Sequence, residues 1–236
     1  MKQLLIAGLA GLVAGATFAA ETNPKDKLTT AAKQLGDKAN HSWTMNTKEG
    51  DGGPGRLGTI EAKTEKGGVT FVSLTPGGLP VEVYMKGEKG AARALEGWQS
   101  LDEIAQTSGT AAAIVKFLRS YKNPAAQCTE LAGKVKDLKE SDGALAGDLK
   151  DEAVQELLLV GTRRREGQDP PKTTDAKGSA KFWIKDGALT KYEINVQGKV
   201  TAGEREFDVN RTMTTEVKDV GSTKIEVPAE AKAKME

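Results

Sequence analysis

The 236-residue chain is poor in the side chains that most catalytic and metal sites require. It has one cysteine and one histidine. A single cysteine cannot form a disulfide within the chain, and a zinc site of the common kind needs several histidine or cysteine ligands. Hydrolytic triads also depend on a histidine as general base. We therefore expect no enzymatic activity and no catalytic residue, and we expect neither a metal nor any other cofactor.

The lone histidine and the lone cysteine each have an ordinary structural interpretation. His41 alternates with Trp43 and Met45, which indicates a structural or solvated histidine at the end of a strand. Cys128 falls on the apolar side of a predicted helix, where a cysteine is usually a small buried hydrophobic side chain. Neither residue predicts a reactive centre.

The chain also lacks an excess of charge of either sign. Its 34 basic and 33 acidic residues give a net charge of +1. This balance does not steer the protein toward nucleic acid or an anionic membrane. Three consecutive arginines at 163–165 could bind an anionic head group, but a charged run in a loop is usually only solvated. We expect no nucleic-acid partner, and we expect a monomer.

The clearest apolar run of the chain is at its N-terminus. Lys2 precedes an apolar run over residues 4–13, and small residues follow, which is the order of a secretory signal peptide. The apolar run and the small residues after it, residues 4–18, are together about 15 residues long, whereas a membrane-spanning helix needs about 20. Thr17 and Ala19 supply the small side chains that signal peptidase requires, so we expect cleavage after Ala19. This predicts a periplasmic or secreted protein that does not span the membrane.

Residues 20–236 have the length of a single domain. Asn23 followed by Pro24 indicates a helix start, and the apolar spacing predicts a helix over 24–38. Alternating segments then predict an antiparallel meander at 41–48, 57–64, 69–75, 79–86 and 91–95. The glycine-rich segment 50–55 is not followed by the helix of a phosphate-binding loop, so we interpret it as a hairpin loop.

The middle of the chain is predicted to be mostly helical. Ser100 and Glu103 have the spacing of a capping box, and Asn123 begins a further helix. Between them, apolar residues at 114, 117, 118 and 121 predict another helix. Two short strands at 135–139 and 143–149, a helix at 151–160 and a polar loop at 163–177 follow.

The last quarter of the chain has the clearest period-two pattern. Apolar residues alternate with charged or hydroxylated ones at 180–184, 192–196 and 207–217. Together with the meander, these segments predict an α+β fold with a large antiparallel sheet of about 11 strands. Its concave side is apolar and is covered by the helices.

Several segments resemble a known group of proteins. MKG at 85–87, EGWQSL at 96–101, KFWIKDG at 181–187 and VKDVG at 217–221 are similar to a group of secreted bacterial proteins with no established role. The order of elements resembles the LolA-like lipoprotein-carrier superfamily, which includes lipid-binding lipoproteins. This resemblance covers most of the mature chain and implies a sheet curved into a half-open barrel. Secondarily, it implies carriage of an apolar ligand.

Two functions are compatible with the sequence. In the first, the protein is a carrier or chaperone that binds a lipid, an acyl chain or another apolar ligand between sheet and helices. In the second, it is a non-enzymatic structural or interaction domain with a protein partner in the cell envelope, and the same side chains fill a core. The candidates for lining an apolar cavity are Met45, Phe71, Val83, Ile194, Val196 and Met213.

Overall fold

A computed structural model describes residues 23–50, 53–54, 57–94, 97–160 and 169–236. The predicted signal peptide, its cleavage site and the part of the predicted polar loop at 163–168 lie outside the described residues.

The strands of the described residues form one antiparallel sheet. They are β1 (Asn40–Glu49), β2 (Gly53–Pro54), β3 (Ile60–Glu65), β4 (Val69–Leu74), β5 (Val81–Lys86), β6 (Lys89–Ala94), β7 (Gly97–Ser100), β8 (Lys139–Ser141), β9 (Ala144–Asp148), β10 (Lys172–Lys185), β11 (Ala188–Ala202) and β12 (Arg205–Lys218). Eleven of them follow the order β7-β6-β5-β4-β3-β1-β12-β11-β10-β9-β8, and the short β2 pairs with β1. Because β7 and β8 end this order, the sheet stays open, as a half-barrel requires.

Six α-helices occur in the described residues. They are α1 (Pro24–Asp37), α2 (Leu101–Ala105), α3 (Thr110–Ser120), α4 (Pro124–Lys134), α5 (Asp151–Leu158) and α6 (Ala229–Lys234), and a 3₁₀ turn spans Pro76–Gly78. The part of the chain that the structure describes contains no helix with both the length and the apolar character that a bilayer crossing requires.

The predicted helix starts are confirmed by their capping hydrogen bonds. The side chain of Asn23 accepts a hydrogen bond from the Lys25 amide at 2.9 Å. At α4, the Asn123 side chain accepts one from an amide in the first turn at 3.0 Å. Ser100 and Glu103 form the reciprocal pair of a capping box at α2. These bonds satisfy backbone donors that a helix start leaves unpaired.

The inner face of the sheet carries two groups of buried apolar side chains. The large cluster joins β9 to β12 with α1, α4 and α5, and it includes Phe182 and Ile194. The small cluster joins β1 and β3 to β6 with α2 and α3, and it includes Ile60 and Val83. The two clusters meet along β1 and β12, where Trp43 of β1 is paired with Val217 of β12.

Two predicted segments differ from the structure. Residue Val135, expected to begin a strand, forms only an isolated bridge to Leu149, and β8 does not begin until Lys139. The predicted polar loop is strand from Lys172 onward, because β11 continues far enough to pair with this segment up to Thr201. Strand β11 supplies backbone hydrogen bonds to this segment, which could not be predicted from the polar composition of the segment itself.

Candidate functional site

The structure divides the predicted cavity residues between the two clusters. Met45 and Val83 are buried in the small cluster. Ile194 and Val196 are buried in the large cluster, and Met213 packs against it while remaining half-buried. All five lie on the inner face of the sheet, where they are divided between the two clusters.

Phe71 lies on the opposite face from the other cavity candidates. Strand β4 buries Val72 and Leu74 on its inner face, so Phe71 points outward. There its ring lies 5.0 Å from that of Tyr84, between ring centroids, and the ammonium of Lys63 lies 6.0 Å from its centroid. Phe71 therefore lines an outer aromatic surface and cannot line the interior.

Helix α3 uses its apolar face against the sheet only in part. Val115 and Leu118 are buried in the small cluster. Ile114, Phe117 and Tyr121 extend the same face but stay half-buried. An apolar face wider than the surface it covers leaves hydrophobic area that a ligand could bury.

Four rings form a continuous row from the surface into the interior, which we call the aromatic row: Phe117, Tyr121, Trp43 and His41. Neighbouring ring centroids are 5.3, 6.4 and 5.5 Å apart in that order. The indole nitrogen of Trp43 donates a hydrogen bond to the Tyr121 hydroxyl at 2.8 Å. Burial raises the pKa of Tyr121 to about 12, so this hydroxyl stays protonated. The row connects α3 with the inner face of β1.

His41 ends this row as a buried side chain. It is 2% exposed, and neither Nδ1 nor Nε2 has a hydrogen-bond partner among the described residues. Burial lowers the pKa of His41 to about 4, so the ring is neutral at neutral pH. The sequence predicts a structural or solvated histidine at a strand end, and the structure shows that His41 is buried, on the same face of β1 as Trp43 and Met45.

Polar groups also connect the other helices to the inner face. The buried hydroxyl of Tyr192 donates to the side-chain oxygen of Gln127 on α4 at 2.5 Å. Burial raises the pKa of Tyr192 well above its usual value. Near the end of α5, Arg211 donates to Glu49 at 2.9 Å and to the carbonyl of Val160 at 3.4 Å. These bonds hold α4 and the end of α5 against β11 and β12.

Two surface cavities adjoin the helices. One of about 390 Å³ lies between α2 and α3 and is lined by Ala105, Ala112, Ala113, Val115, Lys116 and Arg119. Since Val115 also belongs to the small cluster, the floor of this cavity reaches the core. The other, of about 280 Å³, lies beside the Lys27–Glu140 ion pair and has Phe182 in its lining. Within the described residues, no group of three or more His, Cys, Asp or Glu side chains could hold a metal.

The comparisons with known proteins found similar structures but no relatives in sequence. No family model matches the chain, and no curated protein matches it in sequence. Lipoprotein LppX of Mycobacterium tuberculosis has 10% identity and a TM-score of 0.50, over 86% of this chain and 97% of its own. LprF of Mycobacterium bovis has 11% identity and a TM-score of 0.45, over 88% and 97% of the two chains. A LolA superfamily protein of Nitrosomonas europaea has 10% identity and a TM-score of 0.34, over 87% and 96%.

At this level of identity the likeness to LppX shows the fold alone. It agrees with the open antiparallel sheet and its covering helices. The chain therefore has an α+β half-barrel fold like that of LppX, with the open antiparallel sheet that its sequence predicts.

Proposed function

We propose that this protein binds a lipid or another apolar ligand between its sheet and α3, as a non-enzymatic carrier or chaperone in the periplasm or outside the cell. The observation that carries the proposal is the apolar face of α3. Ile114 and Phe117 on that face, and Tyr121 directly after the helix, stay half-buried although they pack against the small cluster. A ligand inserted there would bury apolar surface that the free protein leaves partly in water.

Entry of a ligand requires α3 to move, because the inner face beneath it is closely packed. Helix α3 is suited to movement. It begins at Gly109 without a side-chain cap, and such a cap typically stabilises a helix by about 1 kcal/mol. The Trp43–Tyr121 hydrogen bond joins the C-terminal end of α3 to β1. The surface cavity of about 390 Å³ beside Val115 falls in the volume range of small-ligand sites.

The proposed compartment rests on the N-terminal sequence. Residues 1–19 have the charge, apolar run and small residues of a signal peptide, which leaves residues 20–236 as one exported domain. Fractionation of cells that express the full chain, with mass determination of the exported protein, tests this. A mature chain that begins at Ala20 supports the proposal. An uncleaved protein that stays in the cytoplasm contradicts it.

The ligand proposal is tested on the purified exported protein. Solvent extraction followed by mass spectrometry identifies co-purified lipid, and titration with an apolar fluorophore measures saturable binding. Replacing Phe117 by Ala should weaken the binding of the fluorophore, because Phe117 forms part of the half-buried face of α3. Trp183 lies on the outer face of β10 and serves as the matched control, Trp183→Phe. Neither extracted lipid nor saturable binding would contradict the proposal.

The closely packed inner face also supports a second candidate function, a structural or protein-interaction domain of the envelope. Ile60, Val72 and Val83 are fully buried without any ligand. In that case the side chains of the small cluster form a permanent core, and the protein acts through its surface. Crosslinking in intact cells, followed by identification of the crosslinked protein, tests this function. Recovery of the protein only as a free monomer would count against it.

A further inference from the structure

His41 is a polar group that the described part of the protein buries without satisfying it. A buried donor or acceptor without a partner costs about 1–3 kcal/mol, and His41 has one of each because the neutral ring carries a single proton. Buried polar groups in proteins nearly always have a hydrogen-bond partner, and a water molecule or a ligand could supply the one that the described residues do not give His41.

The hydroxyl groups of the residue paired with His41 across the strands and of the tyrosine in the aromatic row have other partners. Thr64 of β3 is paired with His41 across the strands. Its hydroxyl lies 3.2 Å from that of Thr70 and 3.4 Å from the carbonyl of Val69. Two positions along the aromatic row, the hydroxyl of Tyr121 accepts the Trp43 hydrogen bond. His41 is therefore available to a group that arrives from outside.

The charge of the surroundings favours an uncharged group. On the inner face of β1 and β12, the charged side chains of Glu49 and Arg211 pair with each other. Glu49 is eight residues from His41, about 26 Å along the strand at about 3.3 Å per residue. A carboxylate or phosphate next to His41 would thus have no counter-charge on these two strands, and burying an unpaired charge is costly. A hydroxyl can donate to one ring nitrogen or accept from the other.

The aromatic row gives the ligand a direction. It leads from the half-buried Phe117 through Tyr121 and Trp43 to His41, and Met45 lies beside Tyr121. We infer that His41 binds the terminal hydroxyl of a long-chain, uncharged ligand whose hydrocarbon chain lies along this row under α3. The inference rests on the proposed function and adds to it the class of ligand: an amphiphile with a neutral hydroxyl, such as a long-chain alcohol.

The test compares three probes of similar chain length: oleyl alcohol, octadecene and oleate. Each displaces an apolar fluorophore from the purified protein. We expect the wild-type protein to bind oleyl alcohol about fivefold more tightly than octadecene, which is the effect of one net hydrogen bond. The variant His41→Phe should lose this preference and still bind octadecene. His41→Gln keeps a donor and an acceptor and should retain most of the preference, and Trp183→Phe on the outer face should retain all of it.

The possible results separate the inference from the proposed function. If none of the three probes binds, the proposed function fails and the inference fails with it. If octadecene and oleyl alcohol bind equally to the wild-type protein, or if His41→Phe keeps the preference, only the inference is overturned. Tighter binding of oleate than of oleyl alcohol also overturns it. A high-resolution structure with water on His41, together with equal binding of alcohol and hydrocarbon, identifies the partner as an ordered water only.

Discussion

At the scale of single residues, the burial of His41 makes the stability of the protein depend on pH. The pKa of His41 is about 4 in the folded protein, below the usual histidine value of 6.5, so between these pH values the unfolded chain binds more protons. The free energy of unfolding should therefore decrease as pH falls from 6.5 to about 4, and this contribution should not change further below 4. Urea unfolding at pH 7.5 and 4.5 measures it.

The control for this prediction is His41→Phe, which removes the titrating group. Carboxylates also titrate near pH 4.5, so the informative quantity is the difference between wild type and variant. Wild type should lose more stability than the variant between the two pH values. Equal losses in both proteins would show that His41 does not contribute.

A second residue-scale prediction concerns Cys128. It is fully buried on α4 in the large cluster, and burial raises the pKa of its thiol. Because the thiolate is the reactive form, the native protein should react with Ellman's reagent far more slowly than the urea-unfolded chain. Rapid stoichiometric reaction under native conditions would contradict this.

At the scale of elements, two glycines of the same region should respond oppositely to alanine. A Cβ at Gly147 of β9 would lie 2.5 Å from the Lys136 carbonyl oxygen and 2.6 Å from a methyl of Val135. Gly147→Ala should therefore destabilise the protein by about 1–3 kcal/mol. Gly133 of α4 has open space around such a Cβ, so Gly133→Ala should stabilise it by about 0.5–1 kcal/mol. Urea unfolding compares the two, and a neutral Gly147→Ala would show that the contact yields.

Removing one hydroxyl group should weaken the attachment of α3 to β1. Tyr121→Phe removes the hydroxyl that accepts the Trp43 hydrogen bond and leaves the buried indole N–H unpaired, at a cost of about 1–3 kcal/mol. Amide hydrogen exchange in α3 should become faster. Tyr84→Phe on the outer face is the matched control and should leave exchange in α3 unchanged. Unchanged exchange in Tyr121→Phe would mean that apolar contacts alone hold the helix.

Elements with a local signal could be predicted from the sequence, whereas those defined by distant partners could not. Helix starts could be predicted at Asn23, Ser100 and Asn123, because a capping hydrogen bond joins residues within one turn. The first residues of β10 have no such signal, since their backbone partners lie at the far end of β11. Helix α6 was missed for a similar reason: it packs against β6 and β7, which are far away in sequence.

At the scale of the whole molecule, the shared sheet should make the two clusters unfold together. Ile194 lies in the large cluster and Ile60 in the small one, and both are buried. Replacing either by Ala should cost about 2–5 kcal/mol. Because β1 and β12 are paired over most of β1, tryptophan fluorescence and far-ultraviolet circular dichroism should shift by the same amount in each variant. Separate transitions would show that the clusters are independent folding units.

The candidate site could be predicted only in part. Alternation of apolar residues along a strand identifies the two faces of that strand, but it does not show what packs against each face. Period two correctly placed Ile194 and Val196 inward. It failed for Phe71, because β4 carries apolar side chains on both faces and only the pairing with β3 and β5 decides between them. The role of Tyr121 depends on where α3 crosses β1, which no spacing within either segment specifies.

The two ends of the sheet, β7 and β8, are not hydrogen-bonded to each other in the described chain. A closed barrel has a circumference set by its number of strands and their stagger, so its capacity is constant. This open shell can instead change its radius of curvature by small rotations between neighbouring strands, with every strand ladder intact. A packed interior is therefore compatible with the proposed binding of apolar ligands of different length, because an open shell does not have the fixed capacity of a closed barrel.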